Sequence, residues 1–472
     1  MSRILPLAVV LSLTSFASAQ DWSRFRGPNG SGVAAVEGLP DRLDEDTLAW
    51  RTELAPGHSS PVVHSGRVFL TAQEGEELVT IALDAETGEP LWSAAAPPTE
   101  IAKIDGRNHP ASPSAAVDEE RVVVFFPDFG LLAYDHEGNE LWKHPLGPFQ
   151  NVYGMGASPI LAGSLVVLAC DQSLGSFLLA LDASTGEVAW RVERPRAKSG
   201  HCTPILHETE EGVRELLLPG SFFLDAYDVT SGAKRWSASG LSFEMKSVPV
   251  LADGLVFVNG YGSPMNQPGN QITVRPFEEV LDENDADGSG TLSREEMPAT
   301  RAAAWFDFVD LDADGTLGEA DWAYLSRALG SLNGMLAFRL DGAAGERDQE
   351  GLAWAYRRAV PQLPSPLIVD DVLYMLADGG GILTTFRPST GEVLQKGRLA
   401  EAAGDEFYAS PVAGDGKVYL VSLSGSVFVL PTGGSLEPLS VTSLEERVFA
   451  TPALQDGRVL VRTESALLAF GG

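Results

Sequence analysis

Two stretches of this 472-residue chain set oxygen-bearing side chains at the spacing a hard divalent cation demands. The first runs Asp285, Asp287, Ser289, Gly290, Thr291, Leu292, Ser293 and Glu296, which are positions 1, 3, 5, 6, 7, 8, 9 and 12 of a twelve-residue loop. Calcium takes six to eight oxygens, and this spacing turns carboxylates and the position-7 backbone carbonyl toward one point. Gly290 permits the sharp bend, and Glu296 is long enough to bind through both oxygens. A frame starting at Asp282 fails, because it sets Ala286 at position 5 and Asp287 where glycine is required.

The second loop is Asp310, Asp312, Asp314, Gly315, Thr316, Leu317, Gly318 and Asp321. It ends in Asp, one methylene shorter, so a weaker site more tolerant of magnesium is expected there. The two together read as a pair of EF-hands holding two calcium ions, with Leu292 and Leu317 placed to pair the loops. The helices between them must be short, and Pro298 limits the first. An acidic surface turn without metal is the competing reading of each loop.

What positions these loops is a repeat. Pro61, Pro113, Pro159, Pro204, Pro249, Pro366, Pro411 and Pro452 each follow a small residue or lie one beyond it, and each opens an apolar strand. Their spacing stays near 45 residues except between Pro249 and Pro366, an interval longer by roughly 72 residues that contains both loops. A period near 45 with strands in every unit predicts four-stranded blades of a β-propeller. Blade one reads Ser60-Pro61-Val62-Val63, a turn at Ser65-Gly66, strands at Arg67 to Thr71 and Leu78 to Leu83, and a turn from Asp84 to Gly88 before Trp92. The turn and tryptophan return as Asp182 to Gly186 with Trp190, and as Asp228 to Gly232 with Trp236. A shorter form has Asp135, Gly138 and Trp142. Blade six keeps Thr390-Gly391 but has Arg387 and Gln395 in place of the Asp and Trp.

The last repeat stops one strand short, and Thr47-Leu48-Ala49-Trp50-Arg51 supplies a strand that closes the ring. The expected fold is all-β, an eight-bladed propeller with a small helical EF-hand pair in blade five. Residues 1–19 form a leader, 20–262 blades one to five, 263–334 the insertion, and 335–472 the return to blade five through blade eight.

Composition narrows the roles. Arg3, the apolar run from Ile4 to Phe16 and Ala17-Ser18-Ala19 predict a signal peptide cleaved near Ala19-Gln20. No cysteine stands at that point, so the expected product is soluble, periplasmic or secreted, and without a lipid anchor. A net charge of −32 repels phosphate backbones and anionic lipid, which disfavours nucleic-acid and membrane-surface roles. Cys170 and Cys202 are too few for a disulfide scaffold, and a bridge between them stays open.

Strand direction carries the insertion to the face on which every innermost strand starts. Residues just before the repeated prolines ring the channel mouth there: His58, His109, Tyr153, His201, Lys246, Tyr408 and Phe449. They make a candidate ligand site beside or beneath the calcium module. A solvated polar funnel is the competing reading, because nothing in the spacing forces the three histidines together as a metal cluster.

The Ala-Leu-Asp-x-x-Thr-Gly-x-x-x-Trp segments resemble the tryptophan-docking motif of pyrroloquinoline quinone (PQQ)-type propellers. With Trp22 to Gly32 and the Ser-Pro strand starts, the resemblance covers nearly all of the chain outside the insertion. It implies tryptophans packed between blades, and one of two branches. Quinoprotein dehydrogenases bind the quinone beside an adjacent cysteine pair, a carboxylate base and a propeller-held calcium. Proteins similar to BamB, the outer-membrane assembly lipoprotein, are non-catalytic. Cys170 and Cys202 are not adjacent, and the calcium loops lie in an insertion. The expected function is therefore a non-catalytic, monomeric binding or scaffold protein with a protein partner in the cell envelope and no PQQ. The alternatives are a PQQ-dependent dehydrogenase and a calcium-gated receptor for a small ligand or polysaccharide.

Overall fold

Runs of Val, Ile, Leu and Phe four to eight residues long, separated by glycine and Asx turns, bury themselves by pairing into small sheets and stacking those sheets face to face. The computed structural model shows this arrangement for residues 21–151, 153–298, 301–348 and 351–472, with backbone alone at Arg301 and Ala302. The expected leader, including Ala19-Gln20, lies outside the described residues. Eight antiparallel sheets follow one another around a ring, and their strands run from the channel outward in chain order. Blade one comprises Val62–His64, Arg67–Glu74, Glu77–Asp84 and Pro90–Ala95. Middle strands such as Val122–Phe126 and Gly130–Tyr134 are buried along their whole length. Among the described residues no helix is long and apolar enough to cross a membrane.

Blade eight is closed by the N-terminal strand Leu48–Glu53, which pairs antiparallel with Ala466–Gly471. The tryptophans seal one blade to the next. Trp92 donates its indole N–H to the His136 carbonyl at 2.8 Å, Trp142 to Ala183 at 2.8 Å, Trp190 to Val229 at 3.1 Å and Trp354 to Pro388 at 2.7 Å. The motif glycine is required by this docking. A Cβ on Gly138, Gly186 or Gly391 would lie within 2.7 Å of the incoming ring, and each has φ above +70°.

Blade four departs from the pattern. The third turn of blade five is lengthened, and its segment Gly345–Arg347 adds a fifth strand, parallel, to the edge of blade four at Lys234–Ser239. Trp236 therefore finds no motif turn and donates instead to Glu215 Oε2 of its own blade at 3.3 Å.

Blade five holds the insertion. Gly260 and Gly334 are paired neighbours in its second and third strands, and the chain between them leaves the sheet. Three short helices follow: α1 (Phe277–Asn284), α2 (Phe306–Val309) and α3 (Glu319–Gly330). Leu292 and Leu317 face each other in a two-residue antiparallel pairing between the loops. The apolar core of the insertion continues into the propeller through Phe222, Phe223 and Phe243.

The segment from Trp22 to Ala34 crosses the base of the ring. Trp22 O accepts from Val63 N of blade one, and Ser23 O from Val117 N of blade two. Arg24 reaches the Pro204 carbonyl of blade four, Arg26 the Pro366 carbonyl of blade six, and Ala34 N the Ala413 carbonyl of blade seven. The channel is therefore barred at one end and open at the other.

Candidate functional site

The open end is a funnel of about 410 Å³, built from two rings of equivalent residues and floored by Phe25. The lower ring is a girdle of hydroxyls at the start of the innermost strands. Ser60 N donates to Ser114 Oγ, Ser114 N to Ser158 Oγ and Ser158 N to Thr203 Oγ1. On the other side Val248 N donates to Ser365 Oγ, Ser365 N to Ser410 Oγ, Ser410 N to Thr451 Oγ1 and Thr451 N back to Ser60 Oγ. Only the step from Thr203 to Val248 lacks this link, because valine offers no oxygen. Seven of the eight blades thereby satisfy a buried N–H that the innermost strand leaves unpaired.

The girdle corrects the repeat register in blade two. Ala116 and Val117 pair there as Val62 and Val63 do in blade one, so Ser114 matches Ser60 and Ala115 stands where the proline would be. Pro113 lies two residues early and is not equivalent. Two residues before the girdle lies the upper ring, His58, Ser112, Gly156, His201, Lys246, Leu363, Tyr408 and Phe449, all on the cavity wall. Of the residues expected at the mouth, His58, His201, Lys246, Tyr408 and Phe449 occupy this ring. Tyr153 reaches the wall from farther upstream. His109 does not line the cavity, because its loop folds back beside blade one, where its ring lies 5.2 Å from that of His58.

Burial sets the chemistry of the mouth. It pushes the imidazoles of His58 and His201 down to about 3 and that of His109 to about 4, so all three are neutral near pH 7. His58 stacks on Phe449 at 3.8 Å, and His201 lies edge-on to Tyr153 at 6.4 Å. The three rings do not converge on one point. Lys246 pairs with Glu244 at 2.6 Å, and Arg107 grips Asp105 through two bonds of 2.7 and 2.9 Å. Cys170 and Cys202 are buried free thiols whose ionisation burial suppresses; Cys202 Sγ donates to the Ser247 carbonyl at 3.2 Å.

The insertion stands beside the mouth. Phe243 packs against Trp305 and Phe308 at 5.5 and 5.6 Å, and Arg327 lies over Phe222 and Phe223. None of the funnel wall comes from residues 263–334. The segment Asn259 to Gln271 is a connector, with Gly262 N donating to Asn333 Oδ1 at 2.8 Å and Asn266 Nδ2 to the Ala328 carbonyl at 2.7 Å.

In loop one, Asp285, Asp287 and Glu296 bring carboxylate oxygens within 4.8 Å of one another. Asp285 accepts from the backbone N–H groups of Gly290, Ser289 and Gly288, which hold its carboxyl below the usual range. Glu296 accepts from Ser293 N, Ser293 Oγ and Ala286 N, and is likewise lowered. In loop two, Asp310, Asp312 and Asp314 form the second such group. There Asp310 is raised, by burial and by repulsion from Asp314 and Asp312. Asp321 is occupied at the loop's end, accepting from Leu311 N and Gly318 N at 2.9 and 2.8 Å. Thr316 Oγ1 donates to Asp314, while Ser289 Oγ turns to Thr291. Both loops offer an all-oxygen donor set, the kind hard cations take.

Residues 42–173 and 331–465, more than half of the chain, match the family model described as outer membrane protein assembly factor BamB. The chain belongs to the BamB family. BamB from Moraxella catarrhalis superposes with a TM-score of 0.55 at 12% identity, over 90% of this chain and 98% of that one. A europium-containing methanol dehydrogenase gives 0.59 at 9% identity over 97% and 99%. Quinohemoprotein alcohol dehydrogenase ADHIIG from Pseudomonas putida HK5 gives 0.55 at 13% over 96% and 80%. At these identities the likeness is one of fold. No curated protein matches the chain at a significant level. The interval between the two matched stretches holds blade four and both acidic loops.

Proposed function

We propose that this BamB-family chain is a non-catalytic binding propeller of the cell envelope, which captures its partner at the funnel and binds calcium at the neighbouring insertion. The funnel carries the reading: it is walled by all eight blades, closed below by Phe25 and flanked by paired charges. Rigid scaffolds that display such mouths serve recognition. Among the described residues no imidazole of His58, His201 or the neighbouring His109 is hydrogen-bonded to a hydroxyl, thiol or carboxylate, which supports a site without a paired nucleophile and base. The residues do not match the quinone pattern either, because Cys170 and Cys202 lie in separate blades. Loop one has the donor set of a calcium site. Loop two, closed by the shorter Asp321 where loop one has Glu296, is the weaker and the more open to magnesium.

The test uses purified protein as bait on an envelope fraction, with calcium and with chelator, beside a Lys246→Glu/Tyr408→Ala variant. The expected result is a partner held by the unmodified protein and released by the variant. Equal recovery by both would remove the funnel from the reading. Dye-linked alcohol oxidation after adding PQQ would overturn the non-catalytic assignment. Titration calorimetry should find two calcium sites of unequal affinity.

A further inference from the structure

The girdle has donors left over. A serine or threonine hydroxyl carries one proton and two lone pairs. Here each of the seven oxygens spends a lone pair on the neighbouring blade's N–H. Among the described residues none of the seven protons reaches an acceptor. These residues are at most 3% exposed, and Ser60, Ser114, Ser158, Ser365, Ser410 and Thr451 line one cavity. Buried polar groups left unsatisfied are rare and mark a ligand, ion or water.

The charge beneath points to its sign. Arg24 and Arg26 flank Phe25 and are buried, at 7% and 0% exposure. Their bonds go to the carbonyls of Pro204 and Pro366, the residues immediately after girdle members Thr203 and Ser365. Arg24 Nε and Arg26 Nε and Nη1 have no partner, and neither guanidinium pairs with a carboxylate among the described residues. Burial, and for Arg26 the repulsion from Arg24, brings both down to about 9, which leaves them charged at pH 7. Two uncompensated buried cations are costly, and in a low-dielectric setting their field reaches across the floor. Of the acidic groups near the mouth, Asp105 and Glu244 have their own cations, Asp378 accepts from Gln362 N and Leu363 N, and Glu406 is exposed to solvent on the wall.

We infer that the base of the funnel binds an oxyanion, whose oxygens accept the free girdle hydroxyls above the field of Arg24 and Arg26. The inference rests on reading the funnel as a ligand site, and it adds the ligand's chemistry. A cation is disfavoured by the two guanidiniums. The size of the cavity leaves room above the oxyanion for an organic body against the stacked His58 and Phe449 and the rings of Tyr153 and Tyr408.

Sulfate and benzoate, titrated separately by calorimetry in low-chloride buffer, are the probes. Saturable single-site binding is expected, with affinity at least tenfold weaker in Thr451→Val, which removes a hydroxyl at constant shape, and in Ser114→Ala. Tighter benzoate assigns the carboxylate of an organic acid, and tighter sulfate a free inorganic oxyanion; either supports the site. Thermal melts of each variant, and Arg26→Lys as a charge-keeping control that retains binding, separate lost contacts from lost folding. No saturable binding of either probe, or unchanged affinity in both hydroxyl variants, overturns the inference. Should the mouth still capture an envelope partner in that case, the oxyanion site alone has failed.

Discussion

Glu296 and Asp321 hold the same place in their loops, each accepting from the backbone N–H groups at loop positions 2 and 9, but Asp321 is one methylene shorter. The consequence is testable residue by residue. Glu296→Gln should weaken loop one for calcium at least tenfold, and Asp321→Glu should raise the preference of loop two for calcium over magnesium. Calorimetry with each ion checks both. The neutral histidines give a pH dependence. His58 has an ordinary value of 6.5 and lies near 3 when folded, so the unfolded chain takes up a proton as pH falls through 6.5 while the folded chain does not. Its stability contribution is full above pH 6.5 and is lost toward pH 4, by on the order of 1.4 kcal/mol per pH unit. His58→Gln should flatten the fall of the melting midpoint between pH 6.5 and 4; identical slopes would count against it. The loops were legible because all their ligands lie on one continuous stretch. The girdle was not, because each hydroxyl serves an N–H some 45 residues away, and Pro113 offered a false register that misplaced His109.

Among elements, the tryptophan clasp shows how much of the fold was readable. Trp142 and Gly186 announce their contact because each repeat writes the same pair at the same offset. Trp142→Ala should cost roughly 3–5 kcal/mol, the range for truncating a buried aromatic, read as a fall in the denaturant midpoint. The fifth strand of blade four had no such signature: Gly345–Arg347 is short and polar, and only its neighbour's free edge recruits it. The insertion tests the independence of the ring. Because Gly260 and Gly334 are already register partners, replacing the chain between them with a two-residue turn should leave a folded propeller. Phe222, Phe223 and Phe243 would then lose their cover. Retained circular dichroism with increased binding of an apolar dye is the expected outcome, and loss of the sheet signal would make the insertion part of the core.

At the scale of the molecule, a net charge of −32 sits on a ring whose base is crossed by two buried guanidiniums. Self-repulsion of that surface relaxes as the Debye length shortens from about 30 Å at 0.01 M salt to about 8 Å at 0.15 M. The melting midpoint should rise by several degrees across that range. Millimolar calcium should add a further rise that matched sodium does not give, since only a bound ion shifts folding by mass action.

The bar from Trp22 to Ala34 also orders events in time. These residues come early in the chain, yet Arg26 docks on Pro366, 340 positions later, and Ala34 on Ala413. Contacts of such sequence separation form late. Blades can stack as they emerge, but the floor beneath the girdle is laid only after blade seven exists, and the closing strand Leu48–Glu53 waits for the final residues. A chain interrupted before blade seven therefore leaves the girdle without its floor, so the two ends of the channel are finished at different times.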